Sequence, residues 1–316
     1  MRSILITGVN GFVGQGIGKR LLADGFKVRG IGRADRSWDE RIDYLSLDLL
    51  ESTSGAAINL EDIDAVVHTA AAIPGRSNDY SANLKMTSNL LLMMEAHGIR
   101  DLVHISSSSV YGSRSGHRKE TDQTNPDNPY GTSKLACEKL ILQLAESGSL
   151  SGCRILRFAN VFGQGMPNTN SLSRMSTAVG ARRFVGLGSG ANRKSFLHIE
   201  DAVDVVRSLL SYPNEGIEVM NVSTGDLTLF EVTAALAKRQ SLPVPRWVGF
   251  ISPGLLASAL SRIPLQPAKS LGQSLASFAS EDILDVTRLT ATGFTPKISL
   301  RERIEETASI ARMVHE

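Results

Sequence analysis

The chain is predicted to be an α/β protein built on a doubly wound parallel sheet, and three observations predict it. Short apolar runs at 3–7, 27–31, 65–71, 102–105 and 154–162 are separated by helical patterns, the order that a parallel sheet with covering helices requires. A glycine-rich turn joins the first run to the first helical pattern. A serine run follows the 102–105 strand, at the kind of strand end where such sheets hold their ligands.

Ser3-Ile4-Leu5-Ile6-Thr7 reads as a buried strand, and Gly8-Val9-Asn10-Gly11-Phe12-Val13-Gly14 leads into a helix through Leu22. Strand, glycine turn and helix start together make a phosphate site. Glycines let the backbone approach a pyrophosphate, and the helix start offers N–H groups and positive potential. The spacing is Gly-x-x-Gly-x-x-Gly rather than Gly-x-Gly-x-x-Gly. Strand, turn and helix are therefore read as the start of a Rossmann-type doubly wound sheet. The next strand, Lys27 to Ile31, is followed by Gly32 and Arg33, with Arg36 close by. An NAD site usually carries an acid there for the ribose 2′-hydroxyl. A small residue plus arginines suits a 2′-phosphate, so NADP(H) is favoured over NAD(H).

Tyr44 to Leu49 reads as a short strand ending at Asp48. Ala65 to Ala71 reads as a buried strand ending in small residues, with His68 expected to be a structural histidine satisfied by backbone. Asn83 to His97 is an apolar-faced helix, and Leu102 to Ile105 is the strand that delivers Ser106 to Ser109. Tyr130 and Lys134 then lie four apart, on one face of a helix. An ammonium beside a phenol favours the phenolate, and a tyrosine tuned that way can pass a proton to or from an alcohol oxygen. Arg154 to Gly163 is a strand running into a loop; 163–192 is an excursion rich in Gly, Ser and Asn. Arg193 to Asp201 leads into a helix that Asp201 caps, and Met220 to Ser223 is a short strand. From Thr228 the pattern is mostly helical, broken by prolines, and Thr292-Gly293 reads as a helix end.

Composition narrows the function classes. With 316 residues, 42% hydrophobic and 21% charged, the chain can bury a large core as one unit or two lobes. A net charge of +2 without a basic run calls for neither nucleic acid nor an anionic membrane. Cys137 and Cys153 form no Cys-x-x-Cys pair, so no disulfide framework is expected and a reducing cytoplasm suits the chain. The strand pattern begins at once, without a signal peptide, and no apolar run reaches the ~18 residues of a spanning helix. Trp247 to Leu265, cut by Pro253, Gly254 and Pro264, is expected to be a core helix or a lid over the substrate. No matched cluster of ligands supports a metal.

Over nearly its whole length the sequence resembles the extended short-chain dehydrogenase/reductase family, in particular its nucleotide-sugar epimerases, dehydratases and reductases. The motifs that carry the resemblance are Gly8-x-x-Gly11-x-x-Gly14, Asp48-Leu49, His68 to Ala71, Asn83 with Asn89, the serine run with Val110-Tyr111-Gly112, Tyr130-x-x-x-Lys134, Arg157 to Gly163, and Arg193 to Asp201. The resemblance implies that Gly8, Gly11, Phe12, Val13 and Gly14 cradle an NAD(P) cofactor, that Arg33, Asp48 and Leu49 meet its adenosine end, and that Ala70 and Ala71 line its path. It implies Ser107 as catalytic serine, Tyr130 as acid/base and Lys134 as the group that holds the nicotinamide ribose. Ser107 and Ser108 would touch the sugar, Asn160 would grip a nucleotide diphosphate, and Arg193 or Lys194 would neutralise it. Residues 1–165 and 192–225 would form the cofactor domain, 166–191 and 226–316 the smaller, mostly helical C-terminal substrate-binding lobe; a homodimer is the family habit.

Departures from the family pattern matter. Ser108 and Ser109 stand where 4,6-dehydratases carry an Asp-Glu pair, which disfavours dehydration. The expected activity is hydride transfer at a sugar carbon, C4 first, of a nucleotide-linked hexose, as a 4-keto reductase using NADPH or a 4-epimerase retaining NAD. The alternative is a non-catalytic NADP-binding regulator on the same fold, against which the intact Ser107, Tyr130 and Lys134 argue.

Overall fold

The computed structural model describes residues 2–51, 59–77, 79–113, 115–211, 216–249, 252–263, 275 and 278–308. In chain order the elements are β1 (Ser3–Thr7), α1 (Phe12–Ala23), β2 (Lys27–Gly32), β3 (Asp43–Ser46), β4 (Ala65–His68), α2 (Ser81–Ala96), β5 (Asp101–Ser107), a 3₁₀ turn (Ser108–Tyr111), β6 (His117–Arg118), α3 (Pro129–Glu146), β7 (Gly152–Phe158), β8 (Asn160–Phe162), α4 (Ser171–Gly180), β9 (Gly186–Leu187), β10 (Arg193–His198), α5 (Ile199–Leu210), β11 (Gly216–Val222), β12 (Gly225–Thr228), α6 (Leu229–Arg239), β13 (Trp247–Val248), α7 (Pro253–Ser261) and β14 (Ile283–Leu284), with further helices at Thr287–Ala291 and Leu300–Ala308. The chain divides into two units. The first holds 1–110, 124–158 and 199–222; the second holds 111–123, 159–198 and 223–316.

The first unit is a seven-stranded sheet in the order β11-β7-β5-β4-β1-β2-β3, with every pairing parallel. Such a sheet is covered on both faces, so its central strands read as unbroken apolar runs rather than alternating ones. Ile4, Leu5, Ile6, Val66, Val67, Leu102, Val103, Ile155 and Leu156 are accordingly buried. On one face Leu5, Val66, Leu102 and Ile155 meet Leu90, Met93 and Met94 of α2 and Ile141 of α3. Helices α1 and α5 pack on each other, where a side chain on Gly16 would meet Val203 and Ile199. The strand order reverses between β1 and β4, and ligands bind such sheets outside the strand ends at that point.

Several local expectations are adjusted. Strand β3 ends at Ser46, and Asp48 falls in the turn after it because its carboxylate accepts the Leu50 N–H at 2.9 Å. The predicted 154–163 strand is two strands, β7 in the large sheet and β8 in the second unit. Strand β11 starts at Gly216, ahead of the predicted Met220, and forms the sheet edge beside β7. Asp201 lies inside the first turn of α5 rather than at its cap, with 2% of its surface exposed.

In the second unit β10 pairs antiparallel with β12 and parallel with β8. Phe162, Leu172, Phe196, Val232, Leu236, Leu300 and Ile304 form its core. Helix α6 starts with a capping box, in which Thr228 accepts the Glu231 N–H and Glu231 accepts the Thr228 N–H; such a cap contributes about 1 kcal/mol. Of the 247–265 stretch, α7 forms, but Leu255 is 75% exposed, so it is a surface helix and not a core one. Residues 264–265 lie outside the described residues. Among the described residues no helix is long and apolar enough to cross a membrane.

Candidate active site

The turn between β1 and α1 is built for close approach. Gly8 has φ +70°, and a Cβ there would sit 2.9 Å from the main chain of Ala70 beyond β4. A Cβ on Gly14 would sit 2.3 Å from the carbonyl oxygen of Gly8. Helix α1 starts at Gly11 without a side-chain cap, so the first-turn N–H groups of Phe12, Val13 and Gly14 have no acceptor within their own helix. Bare N–H groups, the positive end of a helix dipole and no side chains in the way fit a dinucleotide's pyrophosphate. Thr7 and Thr69 hold the β1 and β4 ends together: Thr69 Oγ1 donates to the Thr7 carbonyl at 2.6 Å, and the Ala70 N–H donates to Thr7 Oγ1 at 3.3 Å. Ala71 follows, partly exposed.

At the end of β2, Gly32 has the Tyr44 hydroxyl beneath it, 2.8 Å from where a Cβ would stand. Arg33 and Arg36 are exposed, and the Arg36 carbonyl accepts from Asn10 at 2.9 Å. Leu49 puts its side chain into the core, so only its main chain is left to face a ligand, and its carbonyl accepts from Asn89 at 2.7 Å.

The acid/base residues converge on the end of β5. Ser106 and Ser107 end the strand, and Ser108 and Ser109 open the 3₁₀ turn. Helix α3 starts with Pro129 in its first turn, and Asn128 accepts the Gly131 N–H at 2.8 Å. This first turn lies so close to the serine run that a Cβ on Gly131 would be 2.4 Å from the Ser109 carbonyl oxygen. That closeness brings Tyr130 to Ser107, whose hydroxyl hydrogen-bonds the phenol. Ser107 Oγ also pairs with Ser109 Oγ at 3.1 Å. The Tyr130 ring meets Tyr80 edge-on at 5.9 Å. Lys134, 3% exposed, points its ammonium at the Ile105 carbonyl, 2.6 Å away.

Electrostatics departs from the expectation of a lowered phenol. Burial pushes Tyr130 up to about 12, and the hydrogen bond from Ser107 only partly offsets it. Burial also pulls Lys134 below the usual lysine value, opposed by Cys137 and Glu138. The spacing of Tyr130 and Lys134 on one face was legible in the sequence; the desolvation of the half-buried phenol and the buried ammonium was not.

His68 is structural, but threonines rather than backbone satisfy it: Nδ1 pairs with Thr7 Oγ1 at 2.7 Å and Nε2 with Thr87 Oγ1 at 3.0 Å. Burial, with the Lys134 charge second, holds it down to about 3, so it is neutral at ordinary pH. His104 lies 5.2 Å from it ring to ring, and neither of its nitrogens has a hydrogen-bond partner among the described residues. Asn83 ties the loop after β4 to α3, accepting from the Ala72 N–H at 2.6 Å and donating to Ser133 at 2.9 Å.

Asn160, Arg193 and Lys194 belong to the second unit. Asn160 is exposed at the start of β8. Arg193 is engaged by Asp226 through both its side chain and its carbonyl. Lys194 donates to Ser280 at 2.9 Å, and burial lowers its pKa. Two features escaped the sequence reading. Tyr44 under Gly32 is one. The other is a buried group of Ser106, Glu138 and Arg157, announced only by Glu138 lying four residues beyond Lys134.

Comparison with known proteins agrees with this geometry. The model of a family described as the NAD dependent epimerase/dehydratase family matches residues 4–223. An Escherichia coli O157:H7 protein named N-acetyl-alpha-D-glucosaminyl-diphospho-ditrans,octacis-undecaprenol 4-epimerase is 24% identical, covering 96% of this chain and 94% of its own. A Kitasatospora kifunensis protein named dTDP-6-deoxy-L-talose 4-dehydrogenase (NAD(P)(+)) is 28% identical, covering 70% and 74%. Among solved structures, MoeE5 in complex with UDP-glucuronic acid and NAD superposes with a TM-score of 0.77 at 26% identity, covering 99% of both chains.

Proposed function

The chain belongs to the NAD dependent epimerase/dehydratase family and is an enzyme of the extended short-chain dehydrogenase/reductase type; from that premise we propose that it inverts C4 of a nucleotide-linked hexose, using a retained NAD. The observation that carries this reading is the convergence of Ser107, Tyr130 and Lys134 at the end of β5, in the same unit as the β1–α1 turn. A relative that acts as a sugar 4-epimerase and another that is a sugar 4-dehydrogenase support C4 as the carbon.

When bound, a nicotinamide cofactor supplies the acceptor and donor of the hydride at C4. The N–H groups of Phe12, Val13 and Gly14 hold its pyrophosphate, and the Gly8–Ala70 contact fixes the turn against β4. Tyr130 takes the proton of the C4 hydroxyl as the carbon is oxidised and returns it as the carbon is reduced. Ser107 hydrogen-bonds the same oxygen. A phenol at about 12 is a poor base near neutral pH, so it needs a cation, and Lys134, one helical turn on, is the cation of that face. Asn160, with Arg193 or Lys194, is proposed to meet the diphosphate.

A second reading, a 4-keto-sugar reductase that exchanges NADPH, is favoured by one observation. The end of β2 presents Gly32 and the exposed Arg33 in place of an acid, which puts positive charge where a 2′-phosphate would lie. The cofactor released from the purified, denatured protein separates the two. The 4-epimerase reading expects stoichiometric NAD. Protein that releases none and binds NADPH far better than NADH would overturn it in favour of the reductase.

A further inference from the structure

We propose that Glu138 is a positioning residue for this catalytic assembly: its buried carboxylate locks the face of α3 that carries Tyr130 and Lys134 onto β5. The catalytic consequence rests on the proposed hydride transfer; the electrostatic one does not.

Tyr130, Lys134 and Glu138 succeed one another at four-residue steps, so they form one line along α3. Glu138 is 1% exposed and accepts three ways. Ser106 donates to Oε1, Arg157 Nη2 donates to Oε2 at 2.8 Å, and Arg157 Nε is shared between both oxygens at 3.2 Å. Ser106 and Arg157 are themselves register partners across β5 and β7. One carboxylate therefore joins the catalytic helix to two strands, and on β5 it grips the residue just before Ser107. The next residue back, Ile105, takes the Lys134 ammonium. A half-turn slip of α3 would break these bonds together.

Stability is a weak reason for the group to exist, because desolvating both ions costs several kcal/mol and apolar replacements of such pairs are often neutral or better. Charge at Lys134 is a stronger reason. The titratable groups that bear on it are Tyr130, Cys137 and Glu138 of its own helix, His104 of β5 and His68 of β4, with Arg157 of β7 behind Glu138. Burial raises Cys137, which stays a neutral thiol, and it raises Tyr130 and lowers both histidines, which are neutral as well. Glu138, ion-paired with Arg157 at 2.8 Å, is the carboxylate among them. Removing it makes the site more positive, so Lys134 loses its proton at lower pH.

The test is a titration of Lys134 in protein labelled with ¹³C at lysine Cε, the resonance assigned by its loss in Lys134→Arg. Glu138→Gln is expected to move the midpoint down by about one pH unit, the low end for a neighbouring charge. The alkaline limb of the kcat profile should move the same way, with KM little changed. Ser106→Ala, which keeps the charge, should leave the midpoint in place. An unmoved midpoint in folded Glu138→Gln overturns the proposal. If that variant does not fold, Arg157→Gln removes the cation that offsets the carboxylate and should raise the Lys134 midpoint, and an unmoved or lowered midpoint there overturns the proposal equally. A shifted midpoint in a protein that turns over no sugar would retire the proposed reaction and leave the role of Glu138 standing.

Discussion

Tyr130→Phe is expected to lower turnover by roughly 10²–10⁴-fold, the range that a lost general acid–base contributes, while cofactor binding and folding are retained. The substitution removes one oxygen. The ring keeps its edge contact with Tyr80, and α3 keeps its Asn128 cap and the Lys134 bond to Ile105. Ser107 loses the phenol but still has Ser109. What disappears is the group that carries the proton of the C4 oxygen. Cofactor titration and circular dichroism alongside the rate assay separate lost chemistry from lost structure. A variant with near-normal turnover would remove Tyr130 from the mechanism.

Gly14→Ala is expected to act at the other end of the unit. The new methyl meets the Gly8 carbonyl oxygen at 2.3 Å, and the Gly8 carbonyl carbon and Val9 Cα at 2.9 Å. All three are main chain in a tight turn, so no side chain can swing aside. Overpacking of this kind costs about 1–3 kcal/mol. Displacing the start of α1 also takes the Phe12 and Val13 N–H groups away from the pyrophosphate. Thermal unfolding should fall, and the cofactor dissociation constant should rise by at least about tenfold, the equivalent of ~1.4 kcal/mol. Unchanged cofactor affinity would mean that this turn does not hold the dinucleotide.

The sheet was legible because its physics is local. Runs such as Ile4-Leu5-Ile6 and Ala65-Val66-Val67 are too short for helices and too apolar for exposed strands, and the glycine turn marks the first crossover. The line of Tyr130 and Lys134 was legible for the same reason, since helical spacing is written in the sequence. The rest depends on contacts between distant segments. That Gly131 must be glycine follows from the Ser109 carbonyl, 22 positions earlier, and nothing near Gly131 announces it. Satisfaction of His68 by Thr7 and Thr87 joins two strands and a helix. The sign of the Tyr130 shift depends on desolvation, which helical spacing does not report. Strand β8 read as a continuation of β7 because its residues are equally apolar; its partner is β10, fixed by tertiary pairing alone.

The central claim is that the hydrogen on the sugar's C4 leaves and returns as hydride beside Tyr130. The most direct measurement is incubation of UDP- and dTDP-hexoses carrying deuterium at C4, followed by mass spectrometry and NMR of the sugar. The account predicts a C4 epimer that keeps its deuterium at C4 and takes no hydrogen there from solvent. An epimer with solvent hydrogen at C4, or inversion at another carbon with C4 untouched, would contradict it.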